Sequence, residues 1–264
     1  MPVSSRNTRW GFVLTPAALG AENMALDESL MERARRTGEW VVRVYSWRTP
    51  TISLGRNQTA RGRYDLQRLR ERGVDVVRRP TGGRAILHAR EITYSVTAPV
   101  DDAGSLRESY DRINRLLTTA LASLGVAAVA AAGAGHRHPS PGITPCFDEP
   151  AAGELTVAGR KLAGSAQWRN EGALLQHGSI LVEDDQTALA EFTVGGGADI
   201  PAPATLARIL SSVPSPSDMA GALATAVRSL EDPGARELSI DDEIRARASA
   251  LVVRYLDDGW TWRR

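Results

Sequence analysis

Residues Pro145 to Val182 read PCFDEPAAGELTVAGRKLAGSAQWRNEGALLQHGSILV. Gly159, Gly164, Gly172 and Gly178 punctuate short apolar runs, the pattern of a meander of tight strands. Ala158-Gly159 and Asn170-Glu171-Gly172 are the expected hairpin turns between them. Such a meander would carry residue 161 back towards residue 146. The same stretch holds the only cysteine of the chain, Cys146, and its only lysine, Lys161; every other one of the 32 basic residues is arginine. Lysine is a compact charge whose pKa shifts readily, whereas arginine is permanently charged. A thiol becomes a nucleophile on ionising, and a neighbouring ammonium favours the thiolate. A lone cysteine is also a small buried hydrophobe in many proteins, and spacing by itself leaves both roles open.

At 264 residues, 42% of them hydrophobic, the chain has material for one large core or two small ones. A single cysteine excludes an internal disulfide and fits a reducing cytoplasm. No signal core and no membrane-spanning run is visible, so a cytoplasmic protein is expected. A net charge of +1 argues against a general polyanion or nucleic-acid binder.

Outside the meander, Asn23 is expected to cap a helix running to about Arg36, with strands at Val41–Trp47 and Thr51–Leu54. A short helix at Asp65–Arg72, closed by Gly73, precedes an apolar strand at Val74–Val77. A further strand at Ile92–Thr97 stops before Pro99. The clearest helix is Leu106–Leu124, with a Ser105/Glu108 capping box and the stripe Leu106, Tyr110, Ile113, Leu117, Leu121 and Leu124. A Gly/Pro-rich loop over residues 130–145 leads into Cys146. His136 and His138 lie in it without further ligands at metal spacing, so no metal site is expected. After Glu183 the chain turns helical, ending on a helix capped by Ser239. Strands, hairpins and helices in this mixture give an α+β fold with a mixed sheet flanked by helices. No linker divides the chain, so residues 1–264 are expected to form one domain with a helical C-terminal part from about 203 to 264.

Ten arginines and three acids lie between Arg56 and Arg90. Arg68, Arg70 and Arg72 suit the solvated face of a short helix. The excess as a whole also suits a patch for an acidic partner. Within it, Arg78-Arg79-Pro80-Thr81-Gly82-Gly83-Arg84 places paired glycines after a strand, where backbone can approach a ligand closely.

Several of these segments resemble one family. RRPTGGRAILH (Arg78 to His88), EITYSV (Glu91 to Val96), GRKLAGSAQWR (Gly159 to Arg169) and QHGSIL (Gln176 to Leu181) are similar to motifs of the lipoate–protein ligase/octanoyltransferase family. Asn23 to Glu28 and Arg43 to Trp47 match its N-terminal pattern. The resemblance implies the catalytic fold of biotin and lipoate ligases, akin to class II aminoacyl-tRNA synthetases. ATP-dependent members usually carry a third glycine where this chain has Arg84. Cys146-Phe147 followed by Glu154-Leu155 resembles the cysteine motif of the ligase-like octanoyltransferases, with Lys161 in their lysine position. In the other octanoyltransferase branch the lysine precedes the cysteine, the reverse of the order here. One departure is Ala89, where an acid commonly follows the histidine.

The resemblance therefore implies transfer of an octanoyl group from octanoyl-acyl carrier protein to a lysine of a lipoyl domain through a cysteine thioester, without a cofactor. ATP-dependent lipoate ligation and amidotransfer between lipoyl domains are the alternatives. Cys146 and Lys161 would be catalytic. Arg78, Gly82, Gly83, Arg84, His88, Gly164, Ser165, Ala166, His177 and Gly178 would form the substrate site, with backbone near Gly82, Gly83, Gly164 and Ser165 as oxyanion donors. Burying the acyl tail at roughly 0.8 kcal/mol per CH2 would supply about 5 kcal/mol for chain-length selection. Acceptors would be the glycine cleavage H protein or the E2 component of a 2-oxoacid dehydrogenase. A monomer is expected, with no membrane or nucleic-acid partner.

Overall fold

The computed structural model describes residues 8–100, 105–131, 153–196 and 201–264. In chain order come β1 (Trp10–Leu14), α1 (Gly20–Thr37), β2 (Trp40–Tyr45), β3 (Thr51–Leu54), α2 (Leu66–Glu71) and β4 (Asp75–Arg78). Next are β5 (Ile86–His88), β6 (Glu91–Pro99), α3 (Leu106–Ser123) and β7 (Val129–Ala130). Then follow β8 (Leu155–Val157), β9 (Arg160–Asn170), β10 (Ala173–Leu181) and a 3-10 turn at Gln186–Phe192. The last elements are α4 (Leu206–Ile209), α5 (Pro216–Leu230), β11 (Arg236–Glu237), α6 (Asp242–Leu256) and α7 (Asp258–Thr261).

The strands form two sheets. One has eight strands in the order β11-β1-β2-β6-β10-β9-β8-β7, and the other has three in the order β4-β3-β5. In the large sheet β1 runs parallel to both neighbours, while β2, β6, β10, β9, β8 and β7 pair antiparallel. The mixed-sheet α+β expectation holds, and the small sheet is an addition to it.

Alternation along β2 sorts its side chains between two layers. Val42 and Val44 join Ile113, Leu117 and Leu121 of α3 and Leu223 and Val227 of α5 in the main core. Val41 faces the other way, onto Leu30 of α1 and Ile244 of α6. Each fully buried leucine here contributes roughly 1.5–3 kcal/mol. The small sheet has its own core, where Ile52, Leu54 and Leu87 meet Leu189 and Phe192.

Both expected hairpin turns form. Ala158 and Gly159 have φ of 49° and 75°, and Glu171 and Gly172 have 49° and 79°. Two successive left-handed residues are what a two-residue turn needs to match the strand twist. Gly164 and Gly178, by contrast, lie inside long strands, opposite Ser179 and Ser165. The reason is steric: a Cβ on Gly178 would stand 2.5 Å from Gly164 O and 2.8 Å from Tyr94 Cε1.

Helix α3 carries its capping box, with Glu108 N donating to Ser105 Oγ and Ser105 N to Glu108 Oε2. Leu106, expected in its apolar stripe, is 51% exposed. Two caps differ from expectation. Helix α1 begins after Leu19, whose amide donates to Glu22 Oε2 at 2.8 Å, while Asn23 donates to Ala18 O and Ser46 O. Helix α6 is capped by Asp241, which accepts from Ile244 N at 2.8 Å; Ser239 lies ahead of it. Strand β6 also runs on through Pro99, because Ala173 at the start of β10 still pairs with it.

Candidate active site

Lys161 is the second residue of β9, two residues after a tight turn, and is buried. Its Nζ donates to Glu154 Oε1 at 2.6 Å, and Glu154 is buried as well. A register shift between Leu155 and Thr156 of β8 sets this pairing; such a bulge re-aims side chains at a strand end. The Tyr94 phenol is pushed up to about 12, chiefly by burial, with the Glu154 charge adding a little to the rise. Tyr94 and Ser165 share a 2.6 Å hydrogen bond, and Gln176 donates to Tyr94 at 2.9 Å. Strand β8 pairs with β9 only as far as Ala163, so from Gly164 onward that edge of β9 carries no strand among the described residues.

A second cluster surrounds the loop after β4. Arg79 donates from Nη2 to Gly82 O at 2.7 Å and to Arg84 O at 2.8 Å, and from Nη1 to Ser53 O at 2.8 Å. These bonds fix the loop, and Gly83 completes it with φ of 92°. Arg78, fully buried beneath, donates to Gly55 O, Gln58 O and Thr261 O.

Thr81 Oγ1 lies 2.7 Å from His177 Nε2, and His177 Nδ1 lies 3.2 Å from Asp27 Oδ2. Asp27 also accepts from Arg43, Tyr45 and Ser95. Burial raises the Asp27 carboxyl, yet Arg43, His177 and Ser95 outweigh it and hold it below the usual value. Burial is also the main force keeping the His177 imidazole below its ordinary value, against the pull of Asp27. The pair is therefore an ionised Asp27 and a neutral His177. Nδ1–H donates to the carboxylate, and Nε2 accepts the Thr81 hydroxyl proton.

His88 ends β5 and stacks on Trp47, with centroids 3.9 Å apart and planes at 14°. Its Nδ1 lies 2.6 Å from Glu91 Oε1 and its Nε2 2.7 Å from Ser53 Oγ. The acid in contact with His88 is thus Glu91, three residues on, where the sequence has Ala89 beside the histidine.

The expected site residues divide between the two faces of the large sheet. His177 pairs with Ala166 and shares its face, towards α1 and the Thr81 loop. Ser165 and its cross-strand partner Gly178 lie on the opposite face with Tyr94. Cys146, Phe147, His136 and His138 lie outside the described residues. Among the described residues no three His, Cys, Asp or Glu side chains converge to hold a metal. Sequence reasoning missed Glu154 as the partner of Lys161, and also Thr81, Asp27, Arg43 and Glu91. An acid inside three of the recognised segments, Asp27, Glu91 and Glu154, was the available signal.

The sequence profile of the lipoyl protein ligase A/B catalytic domain matches residues 20–251. The chain belongs to that family. As a lipoyl protein ligase A/B catalytic domain it is 38% identical over 281 aligned positions to octanoyltransferase LipM of Kyrpidia tusciae, covering 97% of this chain and 99% of that protein. It is 43% identical over 180 residues to octanoyltransferase LipM of Carboxydothermus hydrogenoformans, covering 67% of this chain and 66% of that protein. The second match thus spans about two thirds of that relative's length. Among solved structures, a putative lipoate protein ligase from T. acidophilum with bound lipoic acid superposes with a TM-score of 0.76. Its identity is 21%, over 97% of this chain and 99% of that one. A lipoate-protein ligase A bound with ATP gives 0.76 at 21% identity, over 97% and 98%. At such identities the likeness speaks to the fold alone.

Proposed function

We propose that this chain is an octanoyltransferase that moves an octanoyl group from acyl carrier protein to a lysine of a lipoyl domain, by way of a thioester on Cys146. The observation that carries this reading is the likeness to an octanoyltransferase LipM along nearly the whole of both chains. The buried Lys161–Glu154 pair supports it, since it fixes a proton-bearing ammonium near the start of the strand that carries Gly164 and Ser165.

The chemistry balances without ATP. The Cys146 thiolate attacks the thioester carbonyl, and the carrier's thiolate leaves and takes up a proton. The acceptor amine then attacks the Cys146 thioester, loses a proton, and expels the Cys146 thiolate as the amide forms. The first exchange is close to energy-neutral and the second step is downhill. Lys161 favours the thiolate and hands protons on, while Glu154 holds its ammonium in place. Backbone near Gly164 and Ser165 and the loop at Gly82 and Gly83 supply the oxyanion donors. His177, anchored by Asp27, positions that loop through Thr81.

Intact mass tests this. Octanoyl-acyl carrier protein alone should add one octanoyl group, labile to hydroxylamine, and a lipoyl domain should then remove it. Cys146→Ala should abolish both steps. Acylation that needs ATP, or that survives in Cys146→Ala, would mark an ATP-dependent ligase instead.

A further inference from the structure

Three guanidinium groups converge around Trp260 of α7, near the Thr81 loop. Arg263 lies 3.9 Å, Arg254 5.1 Å and Arg56 6.0 Å from the centroid of that indole. Trp260 Nε1 in turn donates to the carbonyl of Arg78 at 2.8 Å. Cations over an indole face are common, but this cluster has too few acceptors for its donors. Arg78 Nη2, Arg254 Nε and Arg263 Nε are buried and have no hydrogen-bond partner among the described residues. Arg78 itself is fully buried, and each of its bonds goes to a backbone carbonyl. Arg254 has Glu28 as its ion-pair partner. Burial and the charges of Arg263, Arg264 and Arg79 push Arg78 down to about 10, and burial with Arg56 and its neighbours lowers Arg263. Like charges held together with unfilled N–H donors are stabilised by an oxyanion, which guanidinium groups bind with paired hydrogen bonds.

The cluster is wired to the proposed acyl site. Arg56 N donates to Thr81 O at 2.8 Å, and Arg263 Nη2 donates to Arg56 O at 2.6 Å. The Arg56 guanidinium also lies 4.9 Å from the ring centroid of Trp168, two residues along β9 from Ala166 and on the same face.

We propose that the arginines around Trp260 form an anion site for the phosphodiester of the prosthetic arm that carries the acyl thioester. The choice of a phosphate rests on the carrier-thioester reading above. The oxyanion chemistry rests on the cluster alone.

Calorimetric titration of the intact chain with 4′-phosphopantetheine and with pantetheine tests it. The phosphorylated arm should bind, the plain arm should not, and inorganic phosphate should compete. Arg263→Gln, and separately Arg56→Gln, should each weaken binding about tenfold. Arg56→Gln leaves the backbone bonds of that residue in place, and a thermal melt shows that each variant is folded. In turnover, octanoyl-4′-phosphopantetheine should surpass octanoyl-pantetheine in kcat/KM, and the preference should vanish in Arg263→Gln. Equal binding of both arms, or unchanged binding in both variants, overturns the proposal. So does a loss of turnover with whole carrier protein in Arg263→Gln when the free arm never binds, which assigns the cluster to acidic side chains. If neither octanoyl thioester is a donor but the phosphorylated arm still binds as stated, the anion site stands and the transferase reading falls.

Discussion

Lys161 Nζ sits 2.6 Å from Glu154 Oε1 with both side chains buried, so the one lysine ammonium of the chain is a member of an ion pair. The carboxylate offsets part of the positive field that Lys161 would otherwise exert on a thiolate. It also gives the ammonium a fixed direction, which suits proton transfer better than charge alone. Lys161→Arg is therefore expected to keep much of the Cys146 alkylation rate and lose about a hundredfold in acyl transfer. Iodoacetamide kinetics against pH, beside turnover on a lipoyl domain, measure the two effects. Wild-type turnover in that variant would leave Lys161 with charge as its only role. Lys161→Ala should also cost up to about 3–5 kcal/mol in stability, because the buried Glu154 then loses the ammonium.

The His177–Asp27 pair makes stability depend on pH with a definite sign. An unfolded histidine takes up its proton near 6.5, whereas burial holds the folded His177 lower. The stabilisation is thus fully present above 6.5 and is lost as pH falls from there towards the folded value. Asp27, held below its ordinary 3.8, adds a separate loss only in stronger acid. Urea denaturation across pH 6.5 should show stability declining by up to about 1.4 kcal/mol per pH unit on the acid side. That component should be missing from His177→Gln. An identical pH slope in that variant would mean that another group titrates.

Two glycines make opposed backbones touch. A Cβ at Gly55 would collide with Gly83 O, and one at Gly178 would meet Gly164 O at 2.5 Å and Ser165 Oγ at 2.8 Å. Gly55→Ala should displace the Thr81–Arg84 loop, costing stability by about 1–3 kcal/mol and lowering turnover together. Gly178→Ala should separate β9 from β10 at Ser165 with a cost of similar size. Chemical denaturation beside steady-state kinetics checks both. Unchanged activity in Gly55→Ala would release the loop from its assigned role.

Parts of this arrangement are visible in the sequence because their causes are local. Helix α3 declares itself through Ser105 and Glu108, three residues apart, and both hairpins through Gly159 and Gly172, which take positive φ without steric cost. The start of α1 misleads because Asn23 is a good capping residue used for another purpose, tying the helix to Ser46. The Asp27–His177 contact joins residues 150 apart, so no spacing rule reaches it. Motif resemblance picked out His177 and passed over Asp27, although Asp27 lies in a recognised segment. Whether a residue in a motif faces α1 or α3 depends on strand register, and the bulge in β8 changes that register close to Lys161.

Helix α1 has a consequence for how the chain must be made. Glu28 accepts from Tyr255 at 2.5 Å and also from Arg254, and Ser29 donates to the carbonyl of Ile244. Further on, Arg78 donates to the carbonyl of Thr261. These polar groups belong to early elements, and their partners are synthesised some two hundred residues later. Until then a ribosome-bound chain holds α1 with groups that favour water, so its docking onto the sheet stays reversible. Commitment to the native state is expected only once α6 and α7 emerge. Arrested nascent chains released short of α6 should be digested by protease, while chains that include α7 should resist it.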